Sequence, residues 1–295
     1  MTPRGCTFVR AAVFATVLFA VFGIGLASGQ VLEHQRFESE ALGESLAYTV
    51  YLPPGYDTQA RSYPVIYMLH GYGGQDTDWV RYAKIDQIAD RLIADGTLPP
   101  AIIVMPDGKN SWYVASEAWG DYETAIAHDL VAHVDATYST IAERSSRVIG
   151  GLSMGGYGAA FLAFKHMDTF AAAGVMSGAL YAETMPPWPE LAGEPADEER
   201  WAELDVFNLI DQVAASEERC GWPPPSTICM HVYVNAGDRD ELGFHRDSVL
   251  FYDALVEAEI PAELRILSGH HSWGFWEATV PDVLAYFAYV FQRYY

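Results

Sequence analysis

Short, mostly apolar runs alternate with longer amphipathic stretches along most of the chain. Residues 46–52, 65–69, 101–105, 147–150, 171–176, 228–235 and 262–267 form runs of strand length, and several carry no charged position. A strand reads this way when both of its faces are buried. Between them, residues 85–95, 122–138, 155–166, 246–259 and 280–295 carry apolar positions at helical spacing. Strands alternating with helices of this length predict βαβ units. The expected architecture is α/β, with a mostly parallel central sheet flanked by helices on both faces. The strand at 46–52 precedes Pro53-Pro54-Gly55 and is expected to join through a hairpin as an antiparallel edge. No internal repeat, heptad run or low-complexity tract interrupts the alternation.

Two stretches depart from it. Arg4 and Arg10 precede or open an apolar run from Ala11 to about Leu26, followed by Ala27-Ser28-Gly29. A positive start, an apolar middle and a small-residue exit predict a secretory signal peptide over residues 1–29, with cleavage near Ala27 or Gly29. An uncleaved anchor is the alternative, because the apolar run is about 16 residues long. Residues 30–295 are then expected to form one domain. Within it, residues 181–222 carry Pro186-Pro187-Trp188-Pro189, an acidic run from Glu194 to Glu203, and Trp201. This stretch is expected to be an insertion over the C-terminal edge of the sheet, where α/β folds bind ligands. It would there either wall a pocket with aromatic rings or form a solvated excursion.

Charge and cysteine content narrow the setting. The chain has 17 Lys+Arg against 39 Asp+Glu, a formal charge of −22, and loss of a leader with Arg4 and Arg10 makes the balance more acidic still. Nucleic acid and, after leader removal, membrane surfaces are therefore excluded as expected partners, since their phosphates are repelled. Leader removal also takes Cys6 and leaves Cys220 and Cys229. Two cysteines in an exported chain predict a disulfide, because the compartment is oxidising. Closing so short a loop contributes roughly 2–3 kcal/mol on the chain-entropy account.

The chemistry centres on Gly151-Leu152-Ser153-Met154-Gly155-Gly156. It follows the apolar run at 147–150 and precedes the small-residue helix that starts with Tyr157-Gly158-Ala159-Ala160. Strand, G-x-S-x-G turn and helix together are the setting of a nucleophile elbow, which points to Ser153 as nucleophile. The flanking glycines are needed because the serine occupies a strained turn between strand and helix. A serine hydroxyl is a weak nucleophile and needs a base, which in this architecture follows in the order Ser, acid, His. The loop after 228–235 offers Asp238 and Asp240, and the loop after 262–267 offers the adjacent His270 and His271. Periodicity does not choose within either pair. The strand at 65–69 runs into His70-Gly71-Tyr72-Gly73-Gly74, a glycine-rich loop suited to donating one backbone N–H to an oxyanion; Met154, after the nucleophile, is expected to donate another. His70 precedes the nucleophile and reads as a loop brace rather than a base. This chemistry calls for no metal or organic cofactor.

These residues resemble the esterase D-like family of α/β-hydrolases. That family includes S-formylglutathione hydrolases, tributyrin, feruloyl and acetyl-xylan esterases, and mycolyltransferases. The resemblance rests on Gly151-Leu152-Ser153-Met154-Gly155-Gly156-Tyr157-Gly158 and Met176-Ser177-Gly178. It extends to Tyr48-Thr49-Val50-Tyr51-Leu52-Pro53-Pro54-Gly55-Tyr56, Leu69-His70-Gly71, Met105-Pro106-Asp107-Gly108 and Gly269-His270-His271-Ser272-Trp273. It implies an α/β-hydrolase fold. The family's Gly-x-x-Asp pattern falls on Gly237 and Asp240, its Gly-x-His-x-Trp pattern on Gly269, His271 and Trp273, and its oxyanion N–H on Tyr72. The 181–222 stretch departs from the pattern, so substrate preference does not carry over.

The resulting expectation is a secreted serine esterase that cleaves small-molecule or polysaccharide-linked esters. An acyltransferase passing the acyl group to a sugar or lipid alcohol would use the same residues. A serine peptidase is a weaker fit, because no propeller domain accompanies the motif. A non-catalytic binding module predicts an eroded triad, which is not what stands here. Asp129 and His133, beside His128, superficially resemble metal-ligand spacing, and Glu117 and Glu123 a glycosidase acid pair. A solvated helix face accounts for the first group more simply; for the second, no spacing fixes a separation and the complete triad makes the reading unnecessary. Trp112, Tyr113 and Trp119 fit either an aromatic site or core.

Overall fold

The computed structural model describes residues 28–59, 61–182, 184–193, 196–216 and 229–294. The leader expected over 1–29 lies almost wholly outside the described residues, as does Cys220. An eight-stranded sheet organises the chain. Its strands are β1 (Gln30–Ser39), β2 (Glu44–Leu52), β3 (Val65–Leu69), β4 (Ile102–Pro106), β5 (Arg147–Leu152), β6 (Ala172–Met176), β7 (His231–Gly237) and β8 (Ala262–Leu267). Their order across the sheet is β1-β2-β4-β3-β5-β6-β7-β8. From β4 to β8 every pairing is parallel, whereas β2 runs antiparallel to both of its neighbours. β3 to β7 are buried along their whole length, which explains their apolar runs.

One expectation needs correction. The strand at 46–52 is antiparallel and belongs to a hairpin, but it is not the edge, because β1 pairs along it. β1 was invisible to the apolar pattern: it carries Glu33, His34, Gln35, Arg36 and Glu38, and several positions face solvent. A register shift between Leu32 and Gln35, with His34 at φ 53°, bends this edge. Bulges and charged side chains are how exposed sheet edges avoid pairing with other chains.

Both faces of the sheet are covered. On one face lie a helical run built from Tyr122–Thr124, a π-helical Ala125–Leu130 and Val131–Thr137, together with α1 (Met154–Lys165) and α2 (Phe244–Glu257). The helices Glu198–Leu204 and Val206–Ala215 of the 181–222 stretch join the same core through Trp201, Leu204, Leu209 and Val213. That stretch is therefore packed structure in its described parts rather than a solvated excursion. The other face is covered by Ile85–Ala94 and the long helix Trp273–Tyr294. The last helix starts seven residues earlier than its pattern suggested and holds Pro281 inside. Proline has no N–H to donate, which makes it look like a helix start; here packing of Phe275, Trp276 and Val280 carries the helix through it.

Asp129 and His133 serve the hairpin. Asp129 Oδ2 accepts hydrogen bonds from Ser39 Oγ (2.7 Å) and Ala41 N (2.9 Å). His133 stacks on Phe37 and lies 2.9 Å from the Tyr48 hydroxyl. Among the described residues no group of three or more His, Cys, Asp or Glu side chains is arranged to hold a metal ion.

Candidate active site

Because β3, β5, β7 and β8 all run the same way, the loops that follow them gather at one edge of the sheet. Ser153 sits between β5 and α1 with φ 55° and ψ −117°, a conformation rare for a side-chain-bearing residue. Its N–H donates to Met176 O (2.9 Å), and its carbonyl accepts from Tyr157 N and Ala179 N (both 3.1 Å). A Cβ on Gly151 would lie 2.3 Å from Gly155 O, and one on Gly155 would lie 2.5 Å from Leu69 O and 2.6 Å from His70 O. These obstacles are backbone atoms, so the turn closes only with glycine at both positions.

His271 Nε2 lies 3.0 Å from Ser153 Oγ, and His271 Nδ1 lies 2.7 Å from Asp240 Oδ2. Asp240 is 4% exposed, and its other oxygen accepts from Leu242 N (3.0 Å). The imidazole is held edge-on by Trp276 (5.0 Å between ring centres) and Phe244 (5.5 Å). An imidazole between a hydroxyl and a buried carboxylate is the arrangement that activates a serine. The alternative members of each pair are placed elsewhere. Asp238 is exposed, accepts from Gly269 N (3.0 Å) and pairs with Arg239. The His270 ring meets Glu241 Oε1 at 2.5 Å in solvent. Glu241 Oε2 also accepts from His271 N (3.2 Å). Its own backbone N–H, that of His271 and the His270 ring together hold the Glu241 carboxyl down at about 2.

Gly71 and Tyr72 line the cleft that exposes Ser153, along with Gln75, Asp78, Tyr82, Leu242, Trp273 and Trp276; its volume is about 630 Å³. A Cβ on Gly71 would lie 3.4 Å from Ser153 Cβ, so this loop passes directly over the serine. Met154 is the first residue of α1 and fully buried. Its N–H is one of the first-turn amides that have no partner within the helix. His70 is a brace, as its chain position suggested. Its Nδ1 lies 2.8 Å from Gly71 O, its Nε2 lies 2.9 Å from Gly108 N, and Tyr113 donates its hydroxyl to His70 O (3.0 Å). A carbonyl on one side and an amide donor on the other assign the neutral Nδ1–H tautomer.

Trp112 and Tyr113 are buried, and the exposed Trp119 donates its indole N–H to Glu190 Oε1 (3.1 Å). Glu123 faces His166 (3.1 Å), so it makes no acid pair with the exposed Glu117. Glu241, Phe244 and Trp276 were not singled out from the sequence. A carboxylate next to Asp240 was the available signal for the first; the other two look like ordinary helix core. Cys229 is buried, and its N–H donates to the Tyr294 hydroxyl (3.2 Å).

Comparison with known proteins gives a concordant picture. The family model described as "Putative esterase" matches residues 39–287. The chain is 31% identical over 158 residues to an endo-1,4-beta-xylanase/feruloyl esterase of Xylanibacter ruminicola, covering 51% of this chain and 22% of that protein. It is 24% identical to an acetyl esterase of Caldicellulosiruptor saccharolyticus, covering 79% of this chain and 86% of that protein. Against the first of these, as against an esterase of Mycobacterium tuberculosis (37% identical over 155 residues, 32% of its length), the match spans about a fifth to a third of the relative. Among solved structures, a ferulic acid esterase superposes with a TM-score of 0.74 at 26% identity, covering 89% of this chain and 99% of that one. An S-formylglutathione hydrolase from Staphylococcus aureus (TM-score 0.70, 20% identity, covering 88% and 98%) shares the α/β-hydrolase fold.

Proposed function

The chain belongs to the Putative esterase family, and on that premise we propose that it is an exported serine esterase acting through an acyl-enzyme on Ser153. The observation that carries this reading is the continuous line from Ser153 Oγ through His271 to the buried Asp240, at 3.0 and 2.7 Å. His271 takes the hydroxyl proton as Ser153 attacks the ester carbonyl. Asp240 fixes the tautomer and stabilises the imidazolium. The N–H groups of Tyr72 and Met154 receive the oxyanion as the tetrahedral intermediate forms. His271 then gives the proton to the leaving alcohol, and a water activated by the same imidazole releases the acid. Acetyl and feruloyl esters, named for the relatives, are the first to test. Polysaccharide-linked alcohols fit export and the acidic surface. Residues 1–29 are the leader of this reading, 30–295 its single domain, and Cys220–Cys229 its disulfide.

The test is hydrolysis of p-nitrophenyl acetate and butyrate by the chain without its leader, beside Ser153→Ala. Loss of at least about 10³-fold in kcat supports Ser153 as nucleophile. Equal rates in the two proteins would remove it. Product that forms only when a sugar or lipid alcohol is supplied would instead assign the acyltransferase reading.

A further inference from the structure

Tyr181, the first residue of the insertion, holds φ 54°, and Trp112, 6.0 Å from it between ring centres, holds φ 57°. Left-handed backbone at bulky residues persists only where the surroundings over-determine it, and such residues gather at functional sites. What surrounds them is a line of aromatic rings. Trp188 packs on Tyr72 (4.8 Å) and on Trp112 (5.4 Å). Its indole N–H donates to the Tyr181 hydroxyl at 2.5 Å. Tyr181 meets Phe244 edge-on at 6.0 Å, and Phe244 meets His271 at 5.5 Å. The line therefore runs from the loop over Ser153, through the insertion, to the imidazole beside Ser153. Tyr72 is 49% exposed, so Trp188 is a main support of its ring. Trp112 Nε1 is buried with no hydrogen-bond partner among the described residues, which places shape ahead of polar satisfaction in this stack.

We propose that Trp188 and Tyr181 are positioning residues for the esterase reaction. They hold the backbone of Tyr72 over Ser153 and, through Phe244, the ring of His271. The inference rests on the esterase reading. It gives the insertion a catalytic purpose that does not depend on which acyl group is cleaved. The competing role for the same rings is a subsite that stacks an aromatic acyl group.

The experiment compares Trp188→Ala, Trp188→Phe and Tyr181→Phe on p-nitrophenyl acetate, whose acyl group has no ring to stack. Each variant's unfolding transition and reactive-serine count are checked first. Trp188→Ala is expected to lower kcat by about 10- to 100-fold with KM within about twofold, since small misplacements of reacting groups carry penalties of this size. Trp188→Phe restores most of the rate. Tyr181→Phe removes one hydroxyl and keeps the ring, so it folds, and it falls in between. Affinity for a boronic acid that mimics the tetrahedral intermediate is expected to drop by the same factor as kcat/KM, which a purely structural role would not produce. An unchanged kcat on acetate in both Trp188→Ala and Tyr181→Phe would overturn the proposal. So would an effect confined to KM for aromatic esters, which would make the wall a subsite. Hydrolysis that survives Ser153→Ala would refute the esterase reading itself, and that outcome is read from a different variant.

Discussion

His231 opens β7 far from the cleft, and its protonation sets a pH limit on stability. It is 3% exposed, ringed by Tyr286, Tyr289 and Tyr294, with Nε2 2.9 Å from the Tyr294 hydroxyl. That hydroxyl also accepts from Cys229 N, and its own proton can go to Nε2 when the ring is neutral. Burial first, and the charges of Arg293 and Arg144 second, push its pKa down from 6.5 to about 4. The unfolded chain therefore takes up this proton before the folded one. Stability is fully present above pH 6.5, is lost as pH falls from there toward 4, and levels off below. A displacement of this size corresponds to roughly 3 kcal/mol at about 1.4 kcal/mol per pH unit. The assay is urea unfolding of the parent and of His231→Gln, which keeps a hydrogen-bond acceptor but does not titrate, at half-unit steps from pH 7.5 to 4. Other titrations cancel in the difference. The parent's advantage over the variant is expected to shrink by roughly 3 kcal/mol between pH 6.5 and 4. A difference that stays flat with pH would refute the reasoning, whatever its size at pH 7.

Gly155→Ala drives a Cβ to 2.5 Å from Leu69 O and should lower stability by about 3 kcal/mol or more, read as a lower urea midpoint with little active protein. Asp240→Asn leaves the geometry but favours the wrong imidazole tautomer. A fall in kcat on the order of 10⁴-fold with an unchanged unfolding midpoint is expected in the p-nitrophenyl acetate assay. Asp129→Ala frees Ser39 Oγ and Ala41 N from their acceptor and should lower stability by about 1–3 kcal/mol while kcat stays constant, which separates the hairpin from the site. If the leader is removed and Cys220 pairs with Cys229, the denatured secreted chain has no reactive thiol before reduction and two after it; intact-mass measurement of the same sample reads the cleavage point.

The apolar runs foretold β2 to β7 and the helices expected at 85–95, 122–138, 155–166 and 246–259 because these elements are largely buried or bury one stripe, and burial writes itself into composition; β8 is only partly covered. β1 escaped because an exposed edge carries the same polar residues as a loop. Ser153 was legible because its turn excludes a Cβ at Gly151 and Gly155, so the glycines mark it. Asp238 against Asp240, and His270 against His271, were not separable by periodicity. Each pair lies in one loop with identical local chemistry, and family resemblance was needed to choose. Burial of Asp240 against exposure of Asp238 is a property of the packed loops alone.

By itself, the sequence determined the class of fold, the strand-turn-helix that presents Ser153, and the chain order of the residues that follow it. Those depend on period, glycine placement and side-chain type, which are local. Only the tertiary structure decided that His271 lies between Ser153 and a buried Asp240, and that Trp188, 35 residues downstream of Ser153, lies against Tyr72. It also decided that the helices Glu198–Leu204 and Val206–Ala215 pack into the core. Those are meetings between elements far apart in the chain, and they exist only once parallel strands bring their C-terminal loops to one edge.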